Sequence, residues 1–172
     1  MDRIIIPANA LVVMVAPAGC GKSTFAARHF LPTQIVSSDD CRARVSDDPA
    51  NQGVSRHAFD LMYFTIRKRL LLKRLTVADA TNLESFDRRE LIKTARWFNF
   101  KAAALVLDIP LEVCLERNAA RERVVPEEAV RLQFEKFESS LKSIRQEGFN
   151  YVFMLDREAA DKVTVGIGPP KY

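Results

Sequence analysis

Short, unbroken apolar runs alternate along this chain with longer stretches of helical spacing. Leu11–Ala16 (LVVMVA) is rich in valine and bounded by polar residues, the pattern of a strand buried on both faces of a parallel sheet. Three further runs and one mixed run read the same way: Gln34–Ser37, Leu75–Ala78, Ala102–Leu107 and Tyr151–Leu155. Between them lie helical segments. STFAARHF (Ser23–Phe30) ends before Pro32. Ser55–Lys73 carries Phe59, Met62, Phe64, Ile66 and Leu70 on an apolar side, and Ser85–Phe98 and Leu111–Arg121 are helical too. Pro126 stands where a proline begins a helix. Val130, Phe134, Phe137, Leu141 and Ile144 then recur at steps of three and four, and Gly148 is placed to cap the end. This alternation, without repeat or low-complexity tract, predicts a three-layer α/β domain with a parallel sheet of about five strands flanked by helices. The expected domain is 1–165. The tail 166–172 (GIGPPKY through residue 172) reads as loop or linker, as if cut from a longer multidomain chain.

Composition narrows the classes. About half of the 172 residues are apolar (48%), which excludes a disordered chain. Lys and Arg number 26 against 22 Asp and Glu, a net charge of +4 that tolerates a polyanionic partner without requiring one. Three cysteines, Cys20, Cys41 and Cys114, show no metal-ligand spacing and read as thiols of a reducing compartment rather than a disulfide framework. No apolar run approaches a membrane span. Ala16-Pro17-Ala18 resembles a secretion cleavage site, but Asp2 offsets Arg3 and Pro7 and Asn9 interrupt the apolar stretch. A cytoplasmic protein is expected.

The chemistry starts where the first long apolar run ends. Ala16-Pro17-Ala18-Gly19-Cys20-Gly21-Lys22-Ser23, followed by Thr24, fits the phosphate-binding loop pattern G-x-x-x-x-G-K-[ST] except for its opening alanine. Main-chain N–H groups at a helix N-terminus cradle phosphate oxygens, helped by the helix dipole. Gly19 and Gly21 free the backbone to approach the anion, Lys22 reaches the β- and γ-phosphates, and Ser23 supplies a hydroxyl to Mg²⁺. Cys20 contributes its N–H more than its thiol. The residues from Gly19 to Thr24 are therefore expected to bind ATP or another NTP with Mg²⁺ or Mn²⁺.

A loop of this kind does not name the acceptor of the phosphate. After the second strand comes Ser37-Ser38-Asp39-Asp40-Cys41-Arg42, which puts acids at the carboxyl end of a strand, where α/β sheets bind ligands. Asp39 suits a general base. Arg42, three residues on, shares its face if the segment turns helical, and suits an anionic acceptor. The alternative is that Asp39 or Asp40 caps a short helix. Asp79 ends the third strand, placed to act on Mg²⁺ or its waters, to touch the acceptor, or to cap the loop. Arg117 and Arg121 lie four apart with Arg123 following, either a lid that neutralises charge during phosphoryl transfer or a solvated face paired with Glu116 and Glu122. Arg67-Lys68-Arg69 and Lys73-Arg74 read as solvated faces, His29 and His57 lack catalytic spacing, and Trp97 reads as core.

Together the motifs GCGKSTFAARHF, IVSSDDCR, RVSDD, LTVADATN, LVLDIPLEVCLERN and SLKSIRQEGFNYVFML resemble, in order and over nearly the whole chain, the N-terminal kinase module of bacterial polynucleotide kinase-phosphatases of RNA repair. The resemblance implies a P-loop phosphotransferase that moves an NTP γ-phosphate to the 5′-hydroxyl of RNA or DNA. It implies that Lys22 and Ser23 serve the NTP and metal, that Asp39 is the general base, that Arg42 grips the acceptor's phosphate, and that Arg117, Arg121 and Arg123 form a lid over the NTP phosphates. It also implies phosphatase and ligase modules beside this one. Two departures stand out: Ala16 replaces the usual opening glycine, and the RER segment from Arg121 to Arg123 is one residue shorter than the family's lid. A small-molecule P-loop kinase would share the loop and the base but close the acceptor pocket, and a nucleotide switch without phosphotransfer would need neither Asp39 poised beside Arg42 nor the triple-arginine lid.

Overall fold

The structure, a computed structural model, describes residues 3–172; Met1 and Asp2, which belong to the expected 1–165 domain and to the charge argument at its start, lie outside the described residues. Among the described residues the chain runs through seven strands and seven α-helices: β1 (Arg3–Pro7), β2 (Ala10–Val15), α1 (Lys22–His29), β3 (Ile35–Ser37), α2 (Ser38–Ser46), α3 (Ser55–Leu71), β4 (Thr76–Asp79), α4 (Ser85–Trp97), β5 (Lys101–Asp108), α5 (Leu111–Ala119), α6 (Glu127–Ser143), β6 (Tyr151–Asp156), α7 (Arg157–Lys162) and β7 (Thr164–Gly168). Five strands form one sheet in the order β3-β4-β2-β5-β6, with every neighbouring pair parallel. The three-layer α/β fold expected from the alternation is the fold observed.

β2 lies at the centre because its sequence can be nowhere else. All six of its residues are buried, and a strand apolar on both faces needs cover on both. Alternate side chains enter opposite layers. Leu11, Val13 and Val15 pack with Met62, Ile66, Leu91 and Phe137 from α3, α4 and α6. Val12, Met14 and Ala16 pack with Phe25, Leu105 and Cys114 beside α1 and α5. Each fully buried Val or Leu contributes about 1.5–3 kcal/mol, so the strand is a main anchor of the sheet. The chain places β4 and β3 on one side of β2 and β5 and β6 on the other. The reversal of crossover direction opens a crevice at the carboxyl end of β2, the usual ligand position in such sheets.

Several sequence expectations need correction. Trp97 is 85% exposed at the end of α4 rather than core, and Phe64 faces solvent while Ala58, Met62, Ile66 and Leu70 turn inward. Two strands have no counterpart in the apolar-run reading: β1 and β7 pair in parallel as a separate ribbon, Arg3 opposite Thr164 through Pro7 opposite Gly168. Gly166, Ile167 and Gly168 of the expected loop therefore belong to a strand. Alternation conceals β1, since Ile4 and Ile6 are buried while Arg3 and Ile5 are exposed. Past β7, the Asn9 side chain donates to the Lys171 carbonyl at 2.7 Å and accepts from the Lys171 N–H at 2.8 Å, imitating one rung of a strand ladder.

Candidate functional site

The loop from Ala16 to Gly21 leaves β2 and enters α1 with a geometry that two glycines permit. Gly19 (φ 81°) and Gly21 (φ 89°) occupy the left-handed region, and Gly21 is the residue that caps α1. Gly19 also passes so close to α5 that a Cβ there would collide with the Cys114 carbonyl oxygen. Ala16 stays outside the left-handed region, is fully buried, and donates its N–H to the Thr81 carbonyl at 3.2 Å. The alanine therefore fits the opening position without strain.

Lys22 folds back over this loop, its Nζ donating to the Pro17 carbonyl at 2.8 Å. Burial pushes its ammonium down to about 8, with Arg121 adding to the push and Asp79 and Asp39 opposing it. The same influences show that Lys22, Asp39, Asp79 and Arg121 converge on one region. The Ser23 hydroxyl donates to Asp79 Oδ2 at 2.8 Å. Burial raises the Asp79 carboxyl above its ordinary value, against the hydrogen bond from Ser23 and the charge of Lys22. A buried carboxylate behind a hydroxyl beside a phosphate loop is a donor set that suits hydrated Mg²⁺, which takes one or two protein oxygens and keeps several waters.

A cavity of about 220 Å³ opens over the loop, lined by Gly19, Gly21, Lys22, Ser23, Thr24, Arg117 and Arg121. The two arginines come from α5 and the turn after it, and Arg117 Nη1 lies 3.5 Å from the Cys20 carbonyl. A second hollow of about 260 Å³ adjoins it, sharing Gly21, Thr24 and Arg117 and extending past Cys20, Phe25 and Arg28 to α7. Arg123 lines neither hollow.

Arg123 instead reaches the other side of the crevice. Its Nη1 lies 3.5 Å from Asp39 Oδ2, while Arg42 Nη1 lies 2.6 Å from Asp39 Oδ1. Asp39 and Arg42 share a face because Ser38–Ser46 is helical, and the cap of that helix is Ser37, whose side chain accepts from the N–H groups of Asp39 (3.2 Å) and Asp40 (3.3 Å). Neither aspartate is the cap. Arg42 is buried, lies 5.9 Å from the Phe59 ring centre, and leaves its buried Nε without a hydrogen-bond partner.

Three supports escape the motif reading. Gln133 Oε1, on α6, accepts the Ala18 N–H at 2.8 Å. Asn82, in the left-handed region (φ 49°), donates to the carbonyls of Met14 (2.7 Å), Ala78 (3.3 Å) and Ala80 (3.2 Å), tying β2 to the end of β4. Arg88, fully buried, pairs with Glu147 through bonds of 2.6 and 2.5 Å and donates to the carbonyls of Asn82 and Leu83. Asn82 in a loop after a strand was a visible turn signal; nothing local marks Gln133. The thiol expectation is corrected too. Cys20 and Cys114, 94 residues apart, are joined as a disulfide with Cα atoms 4.8 Å apart, and Cys41 alone is free. The bare backbone of Gly19 lets the loop approach α5 closely enough for the two cysteines to meet.

Comparison with known proteins agrees with this architecture. A family model described as "AAA domain" matches residues 11–144. An L-seryl-tRNA(Sec) kinase of Methanococcus maripaludis is 25% identical over 136 residues, covering 75% of this chain and 52% of that protein. Among solved structures, a chain in the Pnkp1/Rnl/Hen1 RNA repair complex superposes with a TM-score of 0.68 at 20% identity, over 80% of this chain and 47% of that one. A gluconokinase from Sinorhizobium meliloti superposes with a TM-score of 0.56 at 16% identity, over 91% and 90% of the two chains. The chain thus spans about half the length of the seryl-tRNA kinase and of the repair-complex chain. With a family match over residues 11–144, most of its length, the chain belongs to the AAA domain family.

Proposed function

We propose that this kinase domain transfers the γ-phosphate of ATP or another NTP to the 5′-hydroxyl end of RNA or DNA, in nucleic-acid end repair. The observation that carries this reading is the Asp39–Arg42 pair across the crevice from the loop: a carboxylate that can take a hydroxyl proton, held beside a buried guanidinium with an unused donor. A guanidinium at this place suits an anionic acceptor such as a phosphodiester better than a neutral hydroxy compound. Likeness to the chain in the RNA repair complex and to the seryl-tRNA kinase supports an acceptor that is part of a nucleic acid.

In the proposed reaction the NTP phosphates lie on the N–H groups of Gly19 to Thr24 at the start of α1. Lys22, Arg117 and Arg121 spread charge away from the γ-phosphoryl oxygens as the bond to the leaving diphosphate lengthens. Asp39 accepts the proton of the attacking 5′-hydroxyl, the new O–P bond forms on the γ-phosphorus as its bond to the β-phosphate breaks, and the nucleoside diphosphate departs. Mg²⁺ or Mn²⁺, held by the Ser23 hydroxyl with Asp79 behind it, would neutralise charge on the β- and γ-oxygens. Neighbouring phosphatase and ligase modules belong to the same proposal.

The test uses γ-labelled ATP, Mg²⁺ and an oligonucleotide with a 5′-hydroxyl, beside the same oligonucleotide carrying a 5′-phosphate. Label entering only the first is expected. ATP bound without label transfer to either oligonucleotide contradicts the reading, and label entering gluconate or another small hydroxy compound in their place identifies a small-molecule kinase.

A further inference from the structure

The three arginines after β5 divide between two sites. Arg117 and Arg121 line the cavity above the phosphate loop, and Arg123 does not. Arg123 meets Asp39 Oδ2 at 3.5 Å, opposite the 2.6 Å contact of Arg42 with Oδ1. One carboxylate between two guanidiniums leaves one net positive charge, the complement of a single phosphodiester. The Arg42 side chain is nine-tenths buried, its Nε has no partner, and its guanidinium is steadied near the Phe59 ring. A buried, unpartnered N–H on a cation is costly, and Arg42 and Arg123 together hold a positive charge outside the lining of the loop cavity.

Resting on the reading above, we propose that Arg123 is an acceptor-binding residue. It joins Arg42 in clamping the phosphodiester on the 3′ side of the reacting nucleoside, while Arg117 and Arg121 serve the donor. The clamp also sets an order of events. With no acceptor, both arginines engage Asp39. An arriving phosphodiester draws them onto its own oxygens and releases the carboxylate to accept the hydroxyl proton. Asp39 is thereby kept from activating water against a bound NTP before the acceptor has seated.

The experiment compares wild type, Arg123→Ala and Arg123→Lys on two acceptors, a nucleoside with a 3′-phosphate and the same nucleoside without it, and measures ATP affinity by calorimetry on each protein. Arg123→Ala should raise the KM for the 3′-phosphate acceptor about ten- to a hundredfold, the loss expected of one hydrogen-bonded charge contact. ATP affinity should stay within about twofold, and the wild-type preference for the phosphate-bearing acceptor should shrink by the same factor as KM rises. Arg123→Lys keeps the charge but loses the fork and should recover only part of the loss. Weakened ATP binding in Arg123→Ala with an unchanged acceptor KM overturns the proposal and returns Arg123 to the donor. If the wild type labels no 5′-hydroxyl nucleic-acid acceptor at all, the functional reading itself falls and the clamp falls with it.

Discussion

Around the loop, the cavity is faced by the loop and the start of α1, which sit at the ends of two fully buried strands, β2 and β4, and by Arg117 of α5 and Arg121 of the turn after it. One strand farther out, Asp39 and Arg42 sit on the first turns of α2, and Asp39 is half exposed, with a side-chain exposure of 52%. The loop of the donor half is thus held in place before any ligand arrives. The acceptor half is a set of ion pairs that a ligand can exchange. Such a division suits a phosphotransferase whose donor is always the same kind of molecule and whose acceptor is the end of a strand. It also means that substitutions in the two halves should fail differently.

The largest expected effect is on the donor side. Arg121→Ala should lower kcat on the order of a thousandfold, as loss of a charge-neutralising arginine does in phosphoryl transfer, and single-turnover kinetics would show it. A loss confined to acceptor KM would break the division. Next comes the buried support of the loop's neighbour. Arg88→Ala strands Glu147 and two carbonyls in the core and should cost about 3–5 kcal/mol in chemical denaturation; a loss under 1 kcal/mol would show that the ion pair does not hold the 82–83 turn. On the acceptor side, Arg42→Ala should raise acceptor KM about ten- to a hundredfold with ATP affinity preserved, and equal losses of both would merge the two halves into one site.

A smaller effect concerns acid. Burial works to raise the Glu147 carboxyl, but hydrogen bonds from Arg88 and Ser143 and the charge of Arg88 overcome it and hold the group below its ordinary value. The unfolded chain therefore binds this proton more readily than the folded one. The contribution is present above the unfolded value, about 4.3, and is lost as pH falls through the lower folded value. Glu147→Gln should flatten the stability profile in that acid range; an unchanged slope would assign the acid sensitivity to other carboxylates. The smallest test is a count: denatured without reductant, the protein should expose one reactive thiol, that of Cys41, and three would contradict the Cys20–Cys114 pairing.

The donor half was legible in the sequence because its chemistry is local. A buried strand, two glycines, a lysine and a serine lie within fourteen consecutive residues, Ala10 to Ser23, and the spacing itself encodes the cradle. Asp39 with Arg42 was legible as a pair, but not as base or cap. Only the helix start at Ser38, with Ser37 as its cap, leaves Asp39 free of that task. The sequence groups Arg123 with Arg117 and Arg121, because one run of arginines carries no sign of which way each side chain turns. Gln133 and the Cys20–Cys114 contact join residues roughly a hundred positions apart, and neither residue type announces its partner. The β1–β7 ribbon is hidden for the same reason: parallel pairing of two distant segments leaves no hairpin signal between them.

Asp39 is the point where the two halves meet, so it carries the most direct test. Asp39→Ala should be measured for ATP affinity by calorimetry and for γ-phosphate transfer to a 5′-hydroxyl oligonucleotide on the same preparation. Transfer should fall on the order of a hundred- to ten-thousandfold, the range for a lost general base, while ATP affinity changes by no more than a few-fold. Parallel loss of transfer and ATP binding, or transfer that survives intact, would contradict the assignment of Asp39 to the acceptor.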